Sequence, residues 1–128
     1  MLGINLIRSG DKTMSLDVDL YINVDVGTDK PYQVLLYTFN ITHNLAKMAH
    51  SCGLYDYMWA IEELGFKQAS ELIEGLEEGI KELKARPEFY SKYNPKNHWG
   101  DYECLVNVAS EFLEACKSFP KANISVSK

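Results

Sequence analysis

An excess of positive charge is the plainest thing this 128-residue sequence lacks. Thirteen Lys and Arg stand against 18 Asp and Glu, a formal charge of -5. That removes the electrostatic footprint of a general DNA or RNA binder. The acidity is also too mild and too scattered for a DNA mimic. No segment approaches the roughly 20 apolar residues of a membrane span. The first eight residues, Met1 to Arg8, have neither the basic region nor the apolar run of a signal peptide. These absences predict a soluble, intracellular, cytoplasmic protein with no membrane partner. Cysteine is scarce: Cys52, Cys104 and Cys116 are odd in number and show no CxxC spacing, against a disulfide framework, a zinc ribbon or a thioredoxin-type site. Three small buried thiols are expected instead. There is no GxSxG, P-loop, GxGxxG or HExxH, no internal repeat and no low-complexity tract.

What is present is a globular composition, 46% hydrophobic and 12% aromatic, too apolar for a disordered chain. The length suits one domain over residues 1–128, with residues 1–15 as a flexible N-terminal extension and Met14 as a candidate alternative start. From Leu16, strict alternation through Val18, Leu20, Ile22, Val24 and Val26 reads as a strand with one buried face. A turn at residues 27–31 leads to a second strand, Tyr32 to Phe39, and an antiparallel hairpin is the default. Apolar residues on both faces of the second strand predict a central or doubly covered position for it. Ile41, Leu45, Met48, Ala49 and Cys52 then recur at helical spacing up to Gly53. A short helical stretch follows from Tyr55 to Leu64. The clearest helix runs from about Gln68 to Ala85, and the last from about Asp101 to Ser118. Between them lies a loop with one turn of helix. Ala122, Ile124 and Val126 alternate as a final strand. The fold class is α+β: a small antiparallel sheet of about three strands backed by three or four helices.

Residues 40–44, Asn40-Ile41-Thr42-His43-Asn44, crowd polar side chains at a helix N-terminus. Asn40 or Thr42 would supply the cap oxygen, and the spare amides and the imidazole make this a candidate anion site. The helical spacing turns Asn44 inward and His43 outward. His43 and His50 stand about 10 Å apart along the axis, too far to share one metal, so no metal and no cofactor are expected. The segment from Phe89 to Tyr102 holds five of the chain's fifteen aromatics, interleaved with Asn97 and His98. It reads either as an anchored loop, with Phe89 and Trp99 plugged onto the core, or as a stacking surface for a planar ligand. In a mixed reading, Trp99 is buried while Asn97, His98 and Tyr102 form a rim. A stripe of Glu71, Glu74, Glu78 and Glu82 reads as a solvated face or as contact for a basic partner. Gly75 and Gly79 are costly inside the same helix, and close approach of another backbone would account for them. A cysteine with His43 or His98, or Glu103 beside Tyr102, would be the candidates for catalysis; no spacing demands either.

The run Asn40-Ile41-Thr42-His43-Asn44-Leu45 with Met48-Ala49, Gly53 and Trp59, then Phe89, Asn94-Pro95, Trp99-Gly100, Tyr102-Glu103 and the closing Ile124-Ser125-Val126-Ser127, resembles a family of small uncharacterised bacteriophage and prophage proteins. The likeness covers nearly everything after Ser15. The chain departs from it at Ala60-Ile61, where relatives tend to have Arg-Pro, and at His98, where they tend to have Gly. The resemblance implies a phage origin and an accessory role inside the host cell.

The expected function is therefore binding. Asn40, Thr42, His43 and Asn44 would supply polar contacts, Tyr55, Trp59, Trp99 and Tyr102 a stacking surface, and Asn97 and His98 a rim. The ligand would be small, anionic and nucleotide-like, such as a host signal sequestered against defence. One alternative is an inhibitor or adaptor of a host protein. Another is a small enzyme using His43 or Glu103 in acid–base chemistry. The open sheet edges make a homo-oligomer an expectation as well.

Overall fold

The first strand, β1 (Ser15–Val24), is the middle one. It pairs antiparallel with β2 (Tyr32–Thr42) on one side and with the last strand, β3 (Asn123–Ser127), on the other. The computed structural model describes residues 15–128. The expected extension and the candidate start at Met14 fall outside the described residues, apart from Ser15, which opens β1. Between β2 and β3 lie four helices: α1 (Ala46–Cys52), α2 (Ile73–Ala85), α3 (Pro87–Ser91) and α4 (Tyr102–Ser118). The architecture is the α+β arrangement that the order of the patterns predicts.

Alternation explains one face of the sheet. Leu16, Val18 and Leu20 lie opposite Ile41, Phe39 and Tyr37, and this face packs on the helices. Phe112 of α4 meets Phe39 edge-on at 4.8 Å and stacks with Tyr37 at 6.3 Å. Beyond Leu20 the pattern no longer means burial. The register slips by one residue between Leu20 and Tyr21, and the hairpin continues past the layer of helices. Val24 and Val26 are exposed there, as are Tyr32 and Leu35. Two expectations are corrected here. The alternating residues after Leu20 do not reach the core, and β2 is an edge strand, not a central one. Its two-faced apolar pattern arises at the bulge, because an inserted residue turns the following side chains to the opposite face.

The helices end where the punctuation residues stand. Gly53 closes α1 in the left-handed conformation (φ +93), with the Leu54 amide donating to the Ala49 carbonyl at 2.8 Å. Pro87 opens α3 at a position that has no amide hydrogen to lose. Asp101 caps α4, its Oδ1 accepting from the Cys104 amide at 2.9 Å. Two 3-10 turns, Tyr55–Tyr57 and Ala69–Leu72, stand where the sequence predicts continuous helix. The second is tied to the chain entering β3 through Ala69 N–H to Ala122 C=O and Ser70 N–H to Pro120 C=O.

Gly75 and Gly79 do mark a close approach. A Cβ at Gly75 would lie 2.2 Å from the Tyr57 ring, and one at Gly79 would lie 2.5 Å from the Leu54 side chain. The segment after α1 is seated on two glycines of α2: the Tyr57 ring fills the space at Gly75, and the Leu54 side chain, with its backbone N at 3.4 Å, fills it at Gly79.

Candidate functional site

Asn40 belongs to the open face of the sheet. Its side-chain amide donates to Ser15 Oγ and to Asp17 Oδ1, both at 2.9 Å, while Thr38 donates to Asp19 at 2.6 Å. Those hydrogen bonds tie neighbouring strands together and take Asn40 out of the junction where the sequence places it.

Thr42 makes the turn. Its Oγ1 accepts from the Asn44 amide at 3.2 Å and caps a 3-10 turn, His43–Leu45, that precedes α1. A 3-10 turn advances about 120° per residue, not 100°. Facing therefore reverses: Asn44 is exposed and His43 is half-buried. The Trp59 indole N–H donates to His43 Nδ1 at 3.0 Å, so that nitrogen is the unprotonated acceptor of the ring. Trp59, only 2% exposed, stacks on Tyr55 with ring centres 5.8 Å apart and planes 5° from parallel. His50 in turn lies 5.1 Å from Tyr55. His43, Trp59, Tyr55 and His50 thus form one chain of contacts, with the two stacked aromatics between the imidazoles.

The aromatic segment lies along the same helix. A Cβ on Gly100 would sit 2.8 Å from Thr42 Cγ2 and 3.0 Å from Leu45, so the loop touches the start of α1. At the other end, Ser51 Oγ donates to the Tyr93 hydroxyl at 3.2 Å. Local bonds hold the loop between these points. Asn97 Oδ1 accepts from the Trp99 amide, Asn94 Oδ1 accepts from the Tyr102 amide, and His98 N–H donates to Pro95 C=O. Tyr102 points inward and donates to the Leu83 carbonyl at 2.8 Å; burial raises its pKa. Trp99 does the opposite of the buried reading. It is 57% exposed, on a loop held at both ends. Of the two expected anchors, Phe89 packs partly against the core, with Arg86 4.1 Å and Lys92 4.4 Å from its ring centre. His98 holds a left-handed backbone, φ +65, that glycine adopts more easily.

Sequence inspection alone misses what the apposed segments contain together. Residues 42–52 and 91–100 hold Lys47, Lys92 and Lys96 and all three histidines of the protein, and no Asp or Glu. None of the three lysines makes an ion pair among the described residues. Asp101, at the border, is occupied by its cap. A protein of net charge -5 therefore carries a cationic, aromatic strip. Its acid-free composition was available in the sequence, but contact between the two segments was not.

The cysteines sit apart from this chemistry. Burial pushes the thiol of Cys52 up to about 11 and that of Cys116 up to about 12. Cys104 is half-buried, less than expected, and is raised as well, mainly by burial. Neutral thiols of this kind are poor nucleophiles. Glu103 is exposed in the first turn of α4. No cluster of three or more metal-ligating side chains occurs among the described residues, and no helix among them is long and apolar enough to cross a membrane.

Glu74 and Glu78 of the glutamate stripe line a cleft of about 390 Å³ together with Tyr57, Gly75, Gly79 and Cys52. Glu82 does not join them: the Tyr90 hydroxyl donates to it at 2.5 Å, and Arg86 pairs with it at 3.3 Å. The Tyr90 bond, ahead of Arg86, holds the Glu82 carboxyl below its usual range.

Comparison with known proteins finds no matching family model, no matching curated protein and no matching solved structure.

Proposed function

We propose that the protein acts by binding a compact anionic, nucleotide-like ligand on the strip formed by residues 42–52 and 91–100. The observation that supports this most is an exposed Trp99 on two touching, acid-free segments that also carry Lys47, Lys96 and His98. An indole face stacks on a planar base, a contact of about 1–3 kcal/mol. Ammonium groups and imidazoles attract phosphate, and the bordering amides of Asn44 and Asn97 offer donors to a base edge or a sugar. His98 adds an imidazole next to Trp99 in the chain, held on a left-handed backbone of φ +65 that costs of order 1 kcal/mol. Trp59 and Tyr55 act from behind, by fixing His43 and α1. In the bacteriophage setting of the resemblance, such a protein would sequester a host nucleotide signal. Titration of the protein with a panel of nucleotides, followed by tryptophan emission, tests the proposal: saturable quenching supports it, and an unresponsive spectrum across the panel rejects it.

A second reading rests on the cleft lined by Glu74 and Glu78. It would take a basic side chain of a host protein, with Tyr57 as an aromatic wall. Binding of a lysine-rich peptide that disappears on reversing both charges supports that reading; unchanged binding by the doubly reversed variant rejects it.

A further inference from the structure

A three-stranded sheet has two outer edges, each a row of backbone N–H and C=O groups open to another strand. Here they are β2 and β3, and they are treated differently: the outer side of β3 is already bridged at Asn123 by Gln68. β3 has five residues. The Val126 amide donates to the Glu62 carboxylate at 3.3 Å, and Lys128 pairs with Glu63 just beyond the strand. Shortness, a side-chain cap and charge are the usual means of blunting an edge. β2 has eleven residues, Tyr32 to Thr42, and not one of them is charged. Among the described residues nothing pairs with its outer edge. Tyr32 is 64% exposed and Leu35 58%.

We infer that β2 pairs with β2 of a second copy, antiparallel about a two-fold axis, joining two sheets into one of six strands. A two-fold axis makes self-pairing antiparallel and calls for no second surface. The absence of charge selects the occupant. A foreign basic or acidic strand would find no counter-charge along this edge. Two copies of a chain with net charge -5 meet with least repulsion along the strand that carries none. Eleven residues span about 36 Å, and a contact confined to that edge stays below the roughly 800 Å² per partner of a standard stable interface. The association is therefore reversible and concentration-dependent. The bulge at Leu20/Tyr21 leaves Leu35 in solvent, where it lines a cleft with Tyr21 and Tyr32.

Sedimentation equilibrium of the full chain from micromolar to about millimolar concentration reads the outcome. The mass is expected to rise from 14.6 kDa toward twice that value. A doubly substituted chain, Gln33→Lys with Leu35→Lys, alters only exposed positions and is expected to stay at 14.6 kDa with an unchanged circular dichroism spectrum. Ser70→Lys, exposed in the 3-10 turn tied to the chain entering β3, is expected to associate as the parent does. A parent chain that stays monomeric throughout overturns the inference, as does a folded double variant that associates equally well. Hydrogen exchange gives a second reading. Protection of β2 amides that grows with concentration supports self-pairing. The same protection at every concentration assigns the edge to a segment of the chain itself and overturns it.

Discussion

The indole N–H of Trp59 donates to Nδ1 of His43 across sixteen residues of chain, at 3.0 Å. This bond ties the 3-10 turn that opens α1 to the core, because Trp59 is buried and stacked on Tyr55. His43→Ala leaves a buried N–H without that acceptor, which costs about 1–3 kcal/mol. Urea unfolding of the single variants and of His43→Ala with Trp59→Phe closes a double-mutant cycle. A coupling energy near zero would show that the bond contributes nothing to stability.

Glycine-to-alanine exchange inside a helix ordinarily stabilises by up to about 1 kcal/mol. At Gly75 and Gly79 the sign reverses. The new methyl would fall 2.2 Å from the Tyr57 ring or 2.5 Å from Leu54, and overpacking of this kind costs about 1–3 kcal/mol. Each variant is expected to show a lower melting temperature; a rise in either would contradict the seating of residues 54–57 on α2.

Stability should vary with pH at both extremes. Burial raises Cys52 from 9.0 to about 11 and Cys116 from 9.0 to about 12. The unfolded chain therefore gives up these protons first. Stability is fully present below pH 9.0 and declines as the pH rises toward 11 and 12. On the acid side, Glu82 lies below its ordinary 4.5 through its bond from Tyr90. That contribution is present above 4.5 and is lost as the pH falls further. Urea midpoints should fall at both ends, and alkylation of Cys52 and Cys116 at neutral pH should be slow in the native protein. Rapid labelling of either without unfolding would contradict their burial.

His98→Gly separates a structural role from a binding one. Glycine relieves the positive φ of this position, so the melting temperature should hold or rise. Removing the imidazole should weaken anion binding several-fold. Unchanged affinity, measured by calorimetry, would leave His98 outside the proposed strip.

The layers were legible in the sequence because periodicity reports burial. Leu16, Val18 and Leu20 alternate for that reason, and Leu105, Ala109, Phe112 and Cys116 recur for the same one. Periodicity does not report where cover ends. Ile22, Val24 and Val26 continue the alternation out past the helices, and β2 looks central while lying at the edge. The candidate site was legible in part. The sequence marks Thr42, His43 and Trp99 by residue type and by their place at element boundaries. It misplaces His43 and Asn44 because a 3-10 turn changes the angular step, and it leaves Trp99 open between an anchor and a stacking surface, of which the structure overturns the anchor. Gly100 against Thr42, and Tyr93 against Ser51, are contacts between segments some forty to sixty residues apart. No local pattern encodes them, and they are what brings the cationic strip together.

Tryptophan emission during nucleotide titration tests the binding proposal most directly, because the two indoles answer separately: Trp59 is buried and Trp99 exposed. Saturable quenching by at least one nucleotide is expected, lost in Trp99→Phe. Binding should be roughly tenfold weaker in Lys96→Glu, about 1.4 kcal/mol, and weaker at high salt. A panel of nucleotides that leaves both the emission and the melting temperature unchanged, or quenching that persists in Trp99→Phe, would contradict it.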